Sequence, residues 1–180
     1  EPVWLGHIID QINTVVKEPN ESVKMLKIGR VFGGAGVWDL AEYWFQKSVQ
    51  TSPDYAEAWA FLAEARQQRG LDGKEQISRA LRLEPDSTGV RALAAAYYRR
   101  QHNPDQAISL LRQNIAAAPS ESIWYLELGS VLAESGKMEL ALDTYQKAIE
   151  LYPENPDTFI ALANFSAQYQ YRIEDVGKPA

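Results

Sequence analysis

Few residues in this chain have types and spacing that could do chemistry. The run GRVFGGAG, with Gly29, Gly33, Gly34 and Gly36, invites comparison with a phosphate-cradling loop. That loop needs a preceding strand and a Lys-Ser/Thr pair to reach the phosphates. Here the run follows a helical pattern and lacks the pair, so it reads as packing at Gly29 and a turn at Gly36. Gly33 and Gly34 then weaken a helix end by about 1 kcal/mol each against alanine. His7 and His102 are the only histidines and there is no cysteine, which leaves little for metal chemistry and no thiol nucleophile. Catalysis needs convergent titratable groups, and none is in view. No catalytic residue, metal or cofactor is expected. Arg30, Arg99 and Arg100 remain, read either as solvated side chains beside Glu57 and Glu64 or as bidentate partners of an acidic or phosphorylated segment.

Composition narrows the partners. Asp+Glu 24 against Lys+Arg 18 gives a formal charge of −6, so the basic stripe of a nucleic-acid or anionic-membrane binder is missing. No apolar run approaches the roughly 18 residues needed to span a bilayer, so no direct membrane insertion of the visible chain is expected. Its 180 residues suffice for one ordinary domain or one short solenoid. The first residue is Glu1, which leads to the expectation of a longer parent chain. The sequons at Asn20 and Asn164 carry little weight, since the second falls inside a helical pattern.

The elements that must position these residues repeat. Pro19, Pro53, Pro85, Pro119 and Pro153 are separated by 34, 32, 34 and 34 residues. Gly29, Ala63, Ala95, Gly129 and Ala163 keep the same beat, and all are small enough for close helix contact. A third series, Ala41, Gly73, Ala107 and Ala141, places the two missing residues between Ala63 and Gly73, which predicts a shortened connection there. Within each unit the apolar spacing is helical, as in Ile28 and Phe32 followed by Trp38, Ala41 and Phe45. Turn signals at Gly36, Gly70 to Gly73, Asn103-Pro104 and Gly136 divide each unit into two helices, and a proline ends the second. Asn155-Pro156 is a helix start.

At these positions the chain resembles the tetratricopeptide repeat (TPR) family. Tyr125, Leu128, Gly129, Gly136, Ala141, Tyr145, Ala148 and Pro153 fill the signature of one unit; Trp59, Leu62 and Ala63, and then Ile28, Gly29, Gly36, Ala41, Phe45 and Pro53, match two others. The unit from Thr88 departs from it, with Arg91 where an aromatic is usual and Asn114 where a small apolar residue is usual. The resemblance implies an all-α fold: a right-handed α-solenoid of tandem helix-turn-helix units in one domain spanning 1–180. Its parts are a half-repeat at 2–19, full repeats at about 22–53, 56–85, 88–119 and 122–153, and a terminal helix at 156–171. Trp4, Leu5, Ile8, Ile9 and Ile12 look like an interior surface left uncovered, and Gln168, Gln170, Arg172 and Glu174 suit the last helix to water.

By the same resemblance, the first helix of each pair lines the concave face where such solenoids bind protein or peptide segments. That face carries Leu26, Arg30, Glu64, Gln68, Ala96, Arg99, Arg100, Leu126, Ser130, Ile160 and Asn164. Two known devices are missing. The row that holds a carboxylate clamp in chaperone-binding relatives reads Leu26, Ala60, Ala92, Leu126, Ile160, and the row that forms an asparagine ladder in others reads Lys27, Phe61, Leu93, Glu127, Ala161. The expected function is a non-catalytic scaffold that binds a protein or peptide segment. Two readings compete: homodimerisation through Trp4, Ile8, Tyr43 and Trp44, and service as the non-catalytic arm of a larger enzyme or membrane-anchored protein.

Overall fold

Isolated helices of 13 or 14 residues are marginal in water, so the phased segments become stable only by packing their apolar stripes on one another. The structure, a computed structural model, describes residues 3–169, with side chains described from Gly6 onward. Ten helices occur among the described residues, and no strand. They are α1 (Val3–Val15), α2 (Glu21–Gly34), α3 (Trp38–Thr51), α4 (Ala56–Gln68), α5 (Lys74–Leu83), α6 (Thr88–Arg100), α7 (Pro104–Ala117), α8 (Ser122–Glu134), α9 (Met138–Leu151) and α10 (Pro156–Tyr169). In chain order the helices follow as α2 and α3, α4 and α5, α6 and α7, and α8 and α9, with α1 before them and α10 after. Gln170, Arg172 and Glu174 lie outside the described residues.

Where the repeat pattern reads as one continuous array, contacts divide the chain into two compact units, Glu1–Tyr97 and Tyr98–Ala180. In the first, Leu26, Ala41, Phe45, Val49, Ala58, Leu62 and Ala65 form a core flanked by Phe32, Trp38, Tyr55, Trp59 and Phe61. In the second, Leu111, Leu128, Leu132, Leu142, Tyr145 and Phe165 are buried between α7, α8, α9 and α10.

The small-residue column explains how each pair closes. A Cβ on Gly29 would stand 2.5 Å from the Phe45 ring, and one on Gly129 would stand 2.6 Å from Tyr145. In both pairs the ring of the second helix therefore lies directly on the backbone of the first. Gly33 has a similar task, since its Cβ would meet Trp38 at 3.1 Å, whereas Gly34 faces open space. The helix end at Gly33 is thus packed, and only Gly34 keeps the weakening expected from sequence.

Helix ends follow local chemistry. Asn20 Oδ1 accepts from the Val23 amide at 3.1 Å, Asn103 Oδ1 from Gln106 at 3.4 Å, and Asn155 Oδ1 from Asp157 at 3.0 Å. The turns inside the pairs use left-handed backbone at Gly36, Gly70 and Gly136, with φ of 75°, 73° and 78°. His102 takes the same conformation at φ 54° and is the one non-glycine residue to do so among those described.

Three expectations are corrected. The connection between α4 and α5 is longer, spanning residues 69–73 where residues 35–37, 101–103 and 135–137 serve the other pairs. The two missing residues come out of the helix: α5 has 10 residues, whereas α3, α7 and α9 have 14. Gly73 lies so close to the Ala63 carbonyl that a Cβ would sit 2.7 Å from it, and Arg66 Nε donates to Asp72 O at 2.8 Å. The segment is therefore held against α4. Second, Ile8 is only 6% exposed and belongs to the core beside α2, so it is no free self-association surface; Ile9 is the exposed one at 46%. The side chains of Trp4 and Leu5 lie outside those described. Third, Leu26 is buried and cannot line a binding face.

The two departures from the repeat signature are both interior. Arg91 is buried in the aromatic slot, where Nη2 donates to Asp86 Oδ1 at 2.6 Å, and Asn114 is fully buried. Two stability outcomes follow. Gly129→Ala should lower unfolding free energy by about 1–3 kcal/mol through the Tyr145 clash, read by urea denaturation. His102→Gly should raise it by about 1 kcal/mol by relieving left-handed strain, read as a higher Tm.

Candidate functional site

Exposed side chains on the first helices define the surface available for binding, taken one unit at a time. In the first unit, α2 and α4 bring Arg30 over the Phe61 ring, 5.1 Å from its centroid, and Phe61 stacks on Phe45 at 5.5 Å. The guanidinium is thus fixed by the negative face of an aromatic ring. Lys27 pairs with Glu18 at 2.5 Å, and this donor, with the Asn20 amide behind it, holds the Glu18 carboxyl below the usual carboxylate range. Glu64 is half-buried and Gln68 exposed. Glu57, expected beside an arginine, accepts instead from Tyr55 Oη at 3.2 Å. Burial first, then the Glu57 charge, pushes the Tyr55 phenol up to about 12.

In the second unit, the end of α6 meets α8. Arg99 Nε lies 3.1 Å from Glu134 Oε2 and Nη1 lies 3.6 Å from Glu127 Oε2, so its carboxylates are not the Glu57 and Glu64 expected from sequence. Ser130 Oγ donates to Glu134 Oε1 at 3.4 Å. Arg100 is exposed, and Ala96, which belongs to the first unit, is half-buried. Beside these polar groups runs an apolar strip: Ile123 is 44% exposed, Leu126 is half-buried, and Ile160 on α10 is 54% exposed, with exposed Asn164 one turn on. Such side chains remain outside the core because no further described helix covers them within the unit. Behind Arg99 a cavity of about 230 Å³ is lined by His102, Pro104, Val131, Glu134 and Ser135.

The structure brings together Arg99, Leu126, Ser130, Ile160 and Asn164 on first helices of the second unit, and Arg30, Glu64 and Gln68 on those of the first. Ile123 was missed from the sequence, although its place three residues before Leu126 puts it on the same helix face. Glu127 and Glu134 as partners of Arg99 follow from a tertiary pairing that repeat phase alone does not fix.

Among the described residues, nothing in these surfaces gathers catalytic groups. His7 Nε2 contacts Gln11 Nε2 at 2.8 Å on α1, and His102 serves a turn. Among the described residues no three His, Cys, Asp or Glu side chains are placed to hold a metal, and no helix is long and apolar enough to cross a membrane.

Helix pairing, ring-on-glycine packing and a first-helix surface together define an interaction scaffold of repeated helical hairpins. Residues 92–156 match the model of the tetratricopeptide repeat, and the chain has an all-α fold similar to that of tetratricopeptide-repeat solenoids. Over 85 residues it is 32% identical to interferon-induced protein with tetratricopeptide repeats 2 of Cricetulus griseus, a match covering 47% of this chain and 18% of that relative. Its fold is similar to that of a thermophilic TPR protein of Thermus thermophilus, with a TM-score of 0.77, 19% identity and 91% of each chain covered. It is also similar to the human IFIT1 dimer with m7Gppp-AAAA, with a TM-score of 0.70, 18% identity, and 93% of this chain and 43% of that one covered.

Beneath this surface Tyr145 packs on Gly129 and meets the Phe165 ring at 5.5 Å. Burial, then Tyr169, Glu134 and Glu127, pushes its phenol up to about 12, with Arg99 opposing. An unfolded tyrosine ionises near pH 10, so above that pH the unfolded chain loses the proton first. Stability should be constant with respect to this group below pH 10 and fall as pH rises toward 12. Tyr145→Phe should reduce that fall in urea titrations at pH 9, 10 and 11, leaving the share due to Tyr55 and Tyr152, whose phenols burial also raises.

Proposed function

We propose that the first-helix face of α8 and α10 binds an extended segment of another protein and performs no chemistry. The observation that carries this reading is the strip of Ile123, Leu126 and Ile160, an apolar surface in water beside Ser130 and Asn164, which can hydrogen-bond a ligand's backbone. Arg99 is paired with Glu127 and Glu134 there, so recognition rests on apolar anchors and not on charge. A stiff helical wall lowers the ordering cost of binding, which is the contribution a scaffold makes. Neither the overall charge of −6 nor the two glutamates of this surface favour a polyanion such as nucleic acid. The arginines proposed from sequence to hold acidic segments are engaged: Arg30 on Phe61 and Arg99 on its two glutamates.

Selection of peptides from a displayed random library against the purified chain tests this reading. A selected peptide, followed by fluorescence anisotropy, should lose at least about tenfold in affinity, or about 1.4 kcal/mol, on Ile160→Asp. It should also weaken on Ser130→Ala and stay unchanged on Tyr43→Ala. Selected peptides indifferent to Ile160→Asp and Leu126→Asp, or tight binding of a capped oligoadenylate at physiological salt, would overturn it.

A further inference from the structure

Helix α3 carries an exposed stripe that the core does not use. Leu40 is 43% and Tyr43 52% exposed, large apolar and aromatic groups set on a helix face in water. Half-buried Trp44 meets Tyr43 edge-on, with centroids 5.4 Å apart and planes at 83°, and so braces the tyrosine from below. Lys47 Nζ rests 5.6 Å from the centroid of the same ring and makes no ion pair among the described residues. Asp39 projects with its side chain 79% exposed, touched by Arg69 Nε at 2.6 Å.

Spacing gives these residues a shared geometry. Asp39 stands four residues before Tyr43 and Lys47 four residues after it. At 3.6 residues per turn they lie about 40° to either side of the tyrosine, each about 6 Å along the axis from it. A negative and a positive group thus flank an aromatic centre at equal distances. Such a stripe is its own complement. With α3 laid antiparallel on α3 of a second copy, a two-fold axis through Tyr43 stacks the two tyrosines and sets each Asp39 opposite the other copy's Lys47.

We propose that this chain forms a homodimer through α3, isologous about Tyr43, with two reciprocal Asp39–Lys47 ion pairs. Charge complementarity selects a second copy as the occupant, because equal and opposite placement about one ring is what a two-fold contact requires. Of the other charges nearby, Glu42 is turned inward to Arg66 and Arg69 and is only 14% exposed, and Arg69 is held by Glu42 and Asp39, while Gln46 and Gln50 are neutral. Trp44 limits the motion of Tyr43 before contact, so little rotamer freedom is lost on association. One helix face falls short of the roughly 800 Å² per partner of a standard interface, so the dimer is weak and dissociates on dilution. This contact belongs to the unit Glu1–Tyr97 and stands independently of the peptide-binding reading of α8 and α10.

Sedimentation velocity of the 180-residue chain between about 10 μM and 1 mM reads the equilibrium directly, with far-UV circular dichroism to verify folding. The wild-type chain should move from monomer toward dimer across that range. Asp39→Lys alone and Lys47→Asp alone should each weaken association by about tenfold or more, since each then opposes like charges twice. The double variant should restore it. An equimolar mixture of the two single variants should form a heterodimer, because every pair across the axis then joins a lysine to an aspartate. Lys47→Asp leaves the Asp39–Arg69 contact intact and so isolates the intermolecular effect. A wild-type chain that stays monomeric to 1 mM, a dimer indifferent to both charge changes, or failure of the mixture to associate would overturn the proposal.

Discussion

Contact of an aromatic ring with bare backbone organises this molecule. Phe45 on Gly29 and Tyr145 on Gly129 bring two helices closer than any side chain at the glycine would permit. The consequence spreads outward. Because the second helix sits so near, its neighbours at Ala41 and Ala141 are fully buried, and the turn between the helices is compressed into three residues with one left-handed position. Dispersion at such close contact is individually small and adds up over every repeat. Helices this short would melt alone, so their order depends on the neighbour that covers each ring.

Much of this was legible before any coordinates, for a physical reason. Close contact constrains residue type at fixed intervals, and the small-residue column with its prolines recorded that constraint five times over. Turn conformation was legible too: His102 stands where glycine does in the other pairs, and the backbone there is indeed left-handed. What the pattern left undetermined is how a missing pair of residues is absorbed. Spacing places the deletion between Ala63 and Gly73 but cannot decide between a shorter loop and a shorter helix, and the contact of Gly73 with the Ala63 carbonyl settled it in favour of the helix.

Surface residues were less legible than core residues. Family resemblance and repeat phase assigned Leu26 to the binding row, yet in its own unit that side chain is buried against residues of α3 and α4, and Ala60 in the same row is buried too. The arginines illustrate the same limit. Their place on the first helices was readable, but Arg30 finds Phe61 and Arg99 finds Glu127 and Glu134 through neighbours that lie one repeat away. Exposure and pairing are properties of the assembled neighbourhood, whereas helicity and close packing are properties of the local string. An interaction scaffold therefore announces its architecture in its sequence long before it announces its ligand.

The truncated α5 bears on how such arrays change length over evolutionary time. Two residues have gone from the chain, and the price is one helical turn near the 69–73 segment, with the neighbouring proline and small-residue columns still in step. Arg66 and Asp72 pin the unwound stretch, and the Tyr97 hydroxyl donates to Asp72 Oδ1 at 3.2 Å. A lesion of this kind is quarantined at the rim of one hairpin. Tandem helical hairpins can thus accumulate small insertions and losses at their rims as neutral drift, the register of each hairpin being reset by its own glycine or alanine.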